Sequence, residues 1–106
     1  MKEENEELVK IKIAKANEVF DEVVEILYQN KLWNTSVNRL YYSCFYAVSA
    51  LLLSKDIYSK THSGTKQMFG LHFIKTGLIS ESSGEFYTDI FTMRRKADYE
   101  DLVAQF

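Results

Sequence analysis

Proline is absent from the 106 residues, and glycine occurs only four times, at 64, 70, 77 and 84. Most of the residues that end helices or build tight turns are therefore missing outside one stretch, and the first 55 residues are free to form long helices. Cysteine is as scarce. The single Cys44 excludes an internal disulfide, and one Cys with two distant histidines, His62 and His72, lacks any usual zinc spacing, so neither a structural metal nor a cofactor is expected. The longest apolar run, Ala50 to Leu53 with the small residues before it, falls far short of the roughly 20 residues of a membrane-spanning helix. The start of the chain, Met1-Lys2-Glu3-Glu4-Asn5-Glu6-Glu7, has no apolar core and no small-residue cleavage site, so no secretory signal is read there. A cytoplasmic protein with no membrane partner is expected.

What remains is a chain of 12.4 kDa with 46% hydrophobic residues, the size and composition of one domain over residues 1–106. The formal net charge of -2 hides a bias. Residues 1–30 carry four Lys against eight Asp or Glu, whereas residues 31–62 carry four Lys or Arg against one Asp. Arg94, Arg95 and Lys96 add a local positive spot to an otherwise balanced C-terminal part. With a pI near 5.7 this is no general polyanion binder, so any nucleic-acid site has to be local.

The apolar periodicity predicts four helices. Ile13, Ala16, Phe20, Val23 or Val24, and Leu27 recur at three- and four-residue steps and define an amphipathic helix over about residues 4–30. Asn34, Thr35 and Ser36 offer caps for a second helix that stays apolar almost around its circumference to Leu53, which makes it the central one. One of its faces holds Val37, Tyr41, Cys44 or Phe45, Val48, and Leu51 or Leu52. The other holds Asn38 or Arg39, Tyr42, Ser43, Tyr46 and Ala50. This second, aromatic and polar face suits packing on a helix, with a dimer seam as the next use. Thr61 or Ser63 caps a third helix from about Gly64 to Thr76, stopped by Gly77 and mostly buried through Met68, Phe69, Leu71, Phe73 and Ile74. A fourth helix follows Ser80-Glu81-Ser82-Ser83, with Phe86 or Tyr87, Ile90, Met93 or Arg94, and Ala97 on one face and Leu102 continuing it loosely. No period-two stretch argues for a sheet. The expected fold is all-α, an antiparallel up-and-down bundle of four main helices.

Four polar residues stand out against this frame. Arg39 lies in the most apolar helix, where an unpaired guanidinium is costly, so it needs an ion-pair partner (Asp98 or an acid of the first helix) or an anionic ligand such as phosphate. His62 sits between the hydroxyls of Thr61 and Ser63 before a helix start, either a plain capped terminus or an anion contact. Arg94 and Asp98 are four apart and can pair on the helix surface. No Ser-His-Asp, Cys-His or paired-carboxylate arrangement can be assembled from spacing alone.

Taken together, Asn38-Arg39-Leu40-Tyr41-Tyr42-Ser43-Cys44-Phe45-Tyr46-Ala47, Ala50-Leu51-Leu52, Lys60-Thr61-His62-Ser63-Gly64, Phe69 with Phe73 and Gly77, and Arg94-Arg95-Lys96-Ala97-Asp98-Tyr99 resemble the HEPN domain family. The resemblance extends from about residue 17 to 101. It is strongest to the branch marked by an Asn-Arg-x-Tyr-Tyr helix, a Thr-His-Ser-Gly turn and an Arg-x-x-Ala-Asp-Tyr helix end. It implies a helical homodimer of prokaryotic toxin-antitoxin, RNA-processing and defence systems, often encoded beside a minimal nucleotidyltransferase. Family members commonly continue into a further C-terminal helix, so the resemblance implies that this helix is missing from a chain ending at Phe106.

Ribonuclease members of that family carry an Arg and, after four to six residues, a His, and cut RNA without metal. After Arg94 those positions hold Tyr99, Glu100 and Asp101, and no His follows. A phenol with a pKa of about 10 is a poor base at pH 7. The reading is therefore a module that binds a nucleotide or RNA phosphate, or a nucleotidyltransferase partner. In it Arg39 and Arg94 hold phosphate, His62 donates from the helix start, Asp98 orients an arginine, Asn38 stands beside Arg39, and Tyr42 and Tyr99 give hydroxyl or stacking contacts. The enzyme alternative is a metal-independent endoribonuclease toxin with His62 and Arg94 as the reacting pair. A third reading makes the polar residues a network that fixes helix register in a purely structural dimer.

Overall fold

The computed structural model describes residues 2–29 and 32–104. Four helices follow one another: α1 (Glu3–Gln29), α2 (Trp33–Ser54), α3 (His62–Phe69) and α4 (Glu81–Val103). A single π-helical turn over Gly70–Ile74 extends α3. No strand occurs among the described residues, and none of the described helices is long and apolar enough to cross a membrane. The particle measures 45 × 25 × 24 Å, its long axis matching the roughly 40 Å of a 27-residue helix.

As its all-round apolar pattern predicts, α2 is the spine. Val37, Tyr41, Val48 and Leu52 turn toward α3 and α4 and form the core with Phe69, Phe73, Tyr87, Ile90, Phe91 and Ala97. The opposite side of α2 carries small residues one heptad apart, Ser36, Ser43 and Ala50, all buried. Small side chains let a neighbouring helix approach closely. Into that stripe α1 lays Ala16, Val19 and Val23, and Ser43 Oγ donates to the Ala16 carbonyl at 2.8 Å.

Among the described residues α1 packs against no helix but α2. The sequence pattern centres the buried face of α1 on Ile13, Ala16, Phe20, Val23 or Val24, and Leu27; Ala16 and Val23 are buried, but Ile13, Phe20, Val24 and Leu27 are exposed. The arc that α2 covers is rotated toward Val19, and an apolar stripe stays open to solvent. Asn30, at the expected end of this helix, lies outside the described residues.

The helix ends follow local chemistry in three of four cases. Thr61 caps α3, its side chain accepting from the Gly64 N–H at 2.8 Å, and Ser80 caps α4 by accepting from the Ser83 N–H at 3.2 Å. Gly77 ends the third segment with φ of 79°, the left-handed conformation that glycine adopts without a Cβ clash. The start of α2 differs from expectation. Leu32 occupies the N-cap without a side-chain bond, and Asn34, Thr35 and Ser36 lie inside the first turn. There Ser36 Oγ bonds back to the Leu32 carbonyl, and Asn34 Nδ2 reaches Asp101 Oδ1 of α4 at 3.0 Å. Asn34 is thus held by a tertiary partner and Ser36 by its own helix, and neither caps α2.

Two features tie the remaining segments. Buried Asn5 donates from Nδ2 to Asp56 Oδ1 at 2.6 Å and to the Tyr58 hydroxyl at 2.9 Å, which fastens the start of α1 to the joint between α2 and α3. Gly84 brings α4 onto Ile74, and a Cβ there would stand 3.0 Å from the isoleucine side chain. Of the five apolar residues expected to bury the third helix, Phe69 and Phe73 are buried, Met68 and Ile74 partly so, and Leu71 is exposed.

Candidate functional site

Two consecutive tyrosines on α2 set the floor of the site. Tyr41 is fully buried, and Tyr42, one residue on, is half-buried with its ring at 76° to that of Tyr41. Because successive residues of a helix point about 100° apart, this pair carries an aromatic surface from the core out to the rim.

Arg94 of α4 lies across that surface. Its guanidinium carbon is 4.7 Å from the Tyr41 ring centroid and 5.9 Å from that of Tyr42, and its side chain is only 16% exposed. A largely desolvated cation over a phenol face gains on the order of 2 kcal/mol, which offsets part of the cost of leaving water. Among the described residues its one carboxylate partner is Asp98, one turn along, at 3.6 Å from Nη1, and the buried Nε has no hydrogen-bond partner. Asp98 in turn accepts from Asn38 Nδ2 at 3.4 Å, one turn along α2 from the Asn34–Asp101 pair. Two asparagines of α2 thus face two aspartates of α4, and this ladder sets the height at which Arg94 crosses Tyr41.

Arg39 reaches the same aromatic surface from α2 itself, 5.9 Å from the Tyr42 centroid. Its ion-pair partner is Glu22 of α1, Nε to Oε2 at 3.4 Å, one of the two kinds of partner the sequence allows; Asp98 pairs with Arg94 instead. The two arginines therefore converge on Tyr42 within one chain, but unequally. Arg39 is matched by a carboxylate and 31% exposed, while Arg94 is more deeply placed and keeps an unsatisfied donor.

His62 completes the cluster from the first position of α3. Its Nδ1 stands 2.8 Å from the Tyr41 hydroxyl, and its ring packs 4.5 Å from Phe45 and edge-on to Tyr42 at 5.7 Å. Burial lowers its pKa from the ordinary 6.5, and the Arg94 guanidinium adds to the shift, so the imidazole is neutral at pH 7. Burial raises the Tyr41 phenol above its ordinary value, against smaller opposing pulls from the Tyr87 hydroxyl and from Arg94. Tyr87, 3% exposed on α4, has a buried hydroxyl with no partner at bonding distance among the described residues, and its pKa is driven up by burial and by the nearby Tyr41.

Asn38, Arg39, Tyr42, His62, Arg94 and Asp98 thus meet in one place, although the sequence separates the first and last by 60 positions. Tyr99 does not join them; it is 66% exposed and faces solvent. Three contributors are not singled out as site residues by the sequence, although Tyr41 lies in the Asn-Arg-x-Tyr-Tyr motif and an acid of the first helix is one expected partner of Arg39. Tyr41 and Tyr87 fit the apolar pattern of core residues, and Glu22 is one of several acids along α1. Among the described residues no cluster of three or more His, Cys, Asp or Glu is placed to hold a metal. The arrangement offers donors and positive charge beside aromatic faces, which is chemistry suited to a phosphate with an attached base.

The HEPN domain family model matches residues 9–105. A UPF0332 protein of Thermotoga maritima is 38% identical over 100 residues, covering 94% of this chain and 75% of that protein. Two proteins of Methanocaldococcus jannaschii, named "Putative toxin MJ0605" and "Putative toxin MJ0142", are 44% identical over 75 residues and 42% over 79. Those stretches cover 71% and 74% of this chain but 56% and 54% of the two proteins, so the chain spans little more than half of their length. No solved structure matches the chain.

Proposed function

The chain belongs to the HEPN domain family, and we propose that it is a nucleotide- or RNA-phosphate-binding module of a toxin-antitoxin or RNA-processing system. The observation that carries this is Arg94, held over Tyr41, largely shielded from water, and engaged among the described residues by a carboxylate at Nη1 alone, with its buried Nε unpaired there. A guanidinium so placed has donors to spare for a phosphate oxygen. His62 is the second contact, and Arg39 an auxiliary one that must share its charge with Glu22. Asn38 and Asp98 hold Arg94 in position, and Tyr42 lies beside both arginines with its ring open to a base.

The names of the two archaeal relatives motivate the toxin-antitoxin setting, and the family resemblance of the sequence motivates a minimal nucleotidyltransferase as the protein partner. A homodimer belongs to the same reading. The open stripe of Ile13, Phe20, Val24 and Leu27 on α1 is an apolar surface of the sort that helical partners cover.

Fluorescence anisotropy with a short 5′-phosphorylated RNA tests the reading. Arg94→Ala should abolish binding while leaving the helical circular-dichroism signal intact; unchanged affinity would refute it. The enzyme alternative, a metal-independent endoribonuclease using His62 and Arg94, predicts products ending in a cyclic phosphate in the presence of chelator. Cutting that both Arg94→Ala and His62→Ala remove would replace the binding-module reading with that one.

A further inference from the structure

Which nitrogen of His62 bears the proton decides what this residue can offer a ligand, and the surroundings of Tyr41 settle it. The Tyr41 side chain is fully buried, and the polar neighbours of its hydroxyl among the described residues are His62 Nδ1, at 2.8 Å, and the buried hydroxyl of Tyr87. If the imidazole donated from Nδ1, the phenolic proton of Tyr41 would have only the Tyr87 oxygen to turn to, and the buried Tyr87 O–H would then be left with no acceptor. A buried unsatisfied donor costs about 1–3 kcal/mol, whereas an unfilled lone pair on an oxygen that already donates is tolerated more often. The Arg94 guanidinium 4.7 Å from the Tyr41 ring works in the same direction, since a nearby cation draws electrons from the phenol and makes its O–H a better donor.

We propose that Tyr41 is a positioning residue for His62: its hydroxyl donates to Nδ1 and fixes the imidazole in the Nε2–H tautomer, so that His62 meets an anionic ligand as a hydrogen-bond donor rather than as a base. The inference rests on the phosphate-binding reading for the identity of the ligand, but the tautomer itself is a property of the free protein.

The neighbours of the ring agree with this assignment. Phe45, Tyr41 and Tyr42 surround it, no carboxylate among the described residues bonds to it, and the positive groups near it are Arg94 and the N-terminal end of α3. Burial and Arg94 together hold the ring in its uncharged form at neutral pH. With Nδ1 occupied and Nε2 already protonated, an uncharged imidazole has no free lone pair with which to remove a proton from a ribose hydroxyl. The same contact that makes His62 a good phosphate donor therefore makes it a poor general base. This separates the binding module from the ribonuclease on chemical grounds.

The test is a long-range proton–nitrogen NMR correlation on the nitrogen-15-labelled 106-residue chain at pH 7.5, with His72→Gln to assign the two histidines. His62 should show a protonated, pyrrole-type Nε2 and a bare, pyridine-type Nδ1. In Tyr41→Phe, which keeps the ring and its packing, the two nitrogens should move toward averaged shifts. Affinity for a short 5′-phosphorylated RNA should fall by roughly two- to tenfold, the equivalent of one hydrogen bond. A pyrrole-type Nδ1 in the wild-type protein, or wild-type imidazole shifts in Tyr41→Phe, would overturn the proposal. Because the tautomer is read without ligand, either result stands apart from whether Arg94→Ala abolishes RNA binding.

Discussion

Tyr41 stacks its ring beneath the Arg94 guanidinium at 4.7 Å and presents its hydroxyl to His62 at 2.8 Å. One core residue of α2 thereby links a cation of α4 to the first residue of α3. The geometry couples stability to function, because a change in how α2 packs moves both groups that face the ligand.

Tyr87 gives the clearest contrast with Tyr41. Its buried hydroxyl has no partner at bonding distance among the described residues, only the Tyr41 hydroxyl nearby, so Tyr87→Phe removes a desolvated polar group while keeping the ring against Phe69 and Tyr41. The variant should be as stable as wild type or more so, by up to about 1 kcal/mol in urea denaturation. Tyr41→Phe should instead lose about 1 kcal/mol, because it breaks a made bond.

At Gly77, φ of 79° places the residue where an L side chain is strained. Open space around its Cβ position means that the backbone alone sets the cost. Gly77→Ala should destabilise the fold by about 1–2 kcal/mol, visible in a thermal melt as a fall of several degrees.

These local features were legible from residue types alone. Thr61 and Gly77 mark the ends of the third segment, and Arg94 with Asp98 pairs at a spacing of four. The buried face of α1 was legible only in part. Ile13, Phe20, Val24 and Leu27 share the spacing of the buried residues, and what selects Ala16, Val19 and Val23 is the stripe of Ser36, Ser43 and Ala50 on another helix. The Tyr41–His62 bond, across 21 positions and a loop, carries no spacing signal at all. Asn34 shows the converse error: its residue type suits a cap, but Asp101 of α4 claims its amide.

Acidification should weaken the fold through His62. Its folded pKa lies below the ordinary 6.5, so the unfolded chain binds the extra proton first. Between the unfolded and folded pKa values stability then rises with pH, and it is lost as pH falls through 6.5 and below. Urea midpoints at pH 7.5 and 5.5 should show a larger drop in wild type than in His62→Gln.

Glu22 restrains Arg39, and its removal should free that cation for ligand. Glu22→Gln should alter stability by less than about 1 kcal/mol, as befits a partly exposed pair. Affinity for a 5′-phosphorylated RNA should rise by roughly two- to fivefold, the same energy transferred to binding.

The central claim is that Arg94, rather than the equally charged Arg39, is the principal phosphate contact. The most direct measurement is RNA binding by wild type, Arg94→Ala and Arg39→Ala side by side in chelator, with the RNA recovered afterwards to check for cutting. Loss of binding in Arg94→Ala, a weakening of only a few fold in Arg39→Ala, and intact RNA throughout are the predicted results. Equal losses in the two variants, or RNA cut by wild type alone, would contradict it.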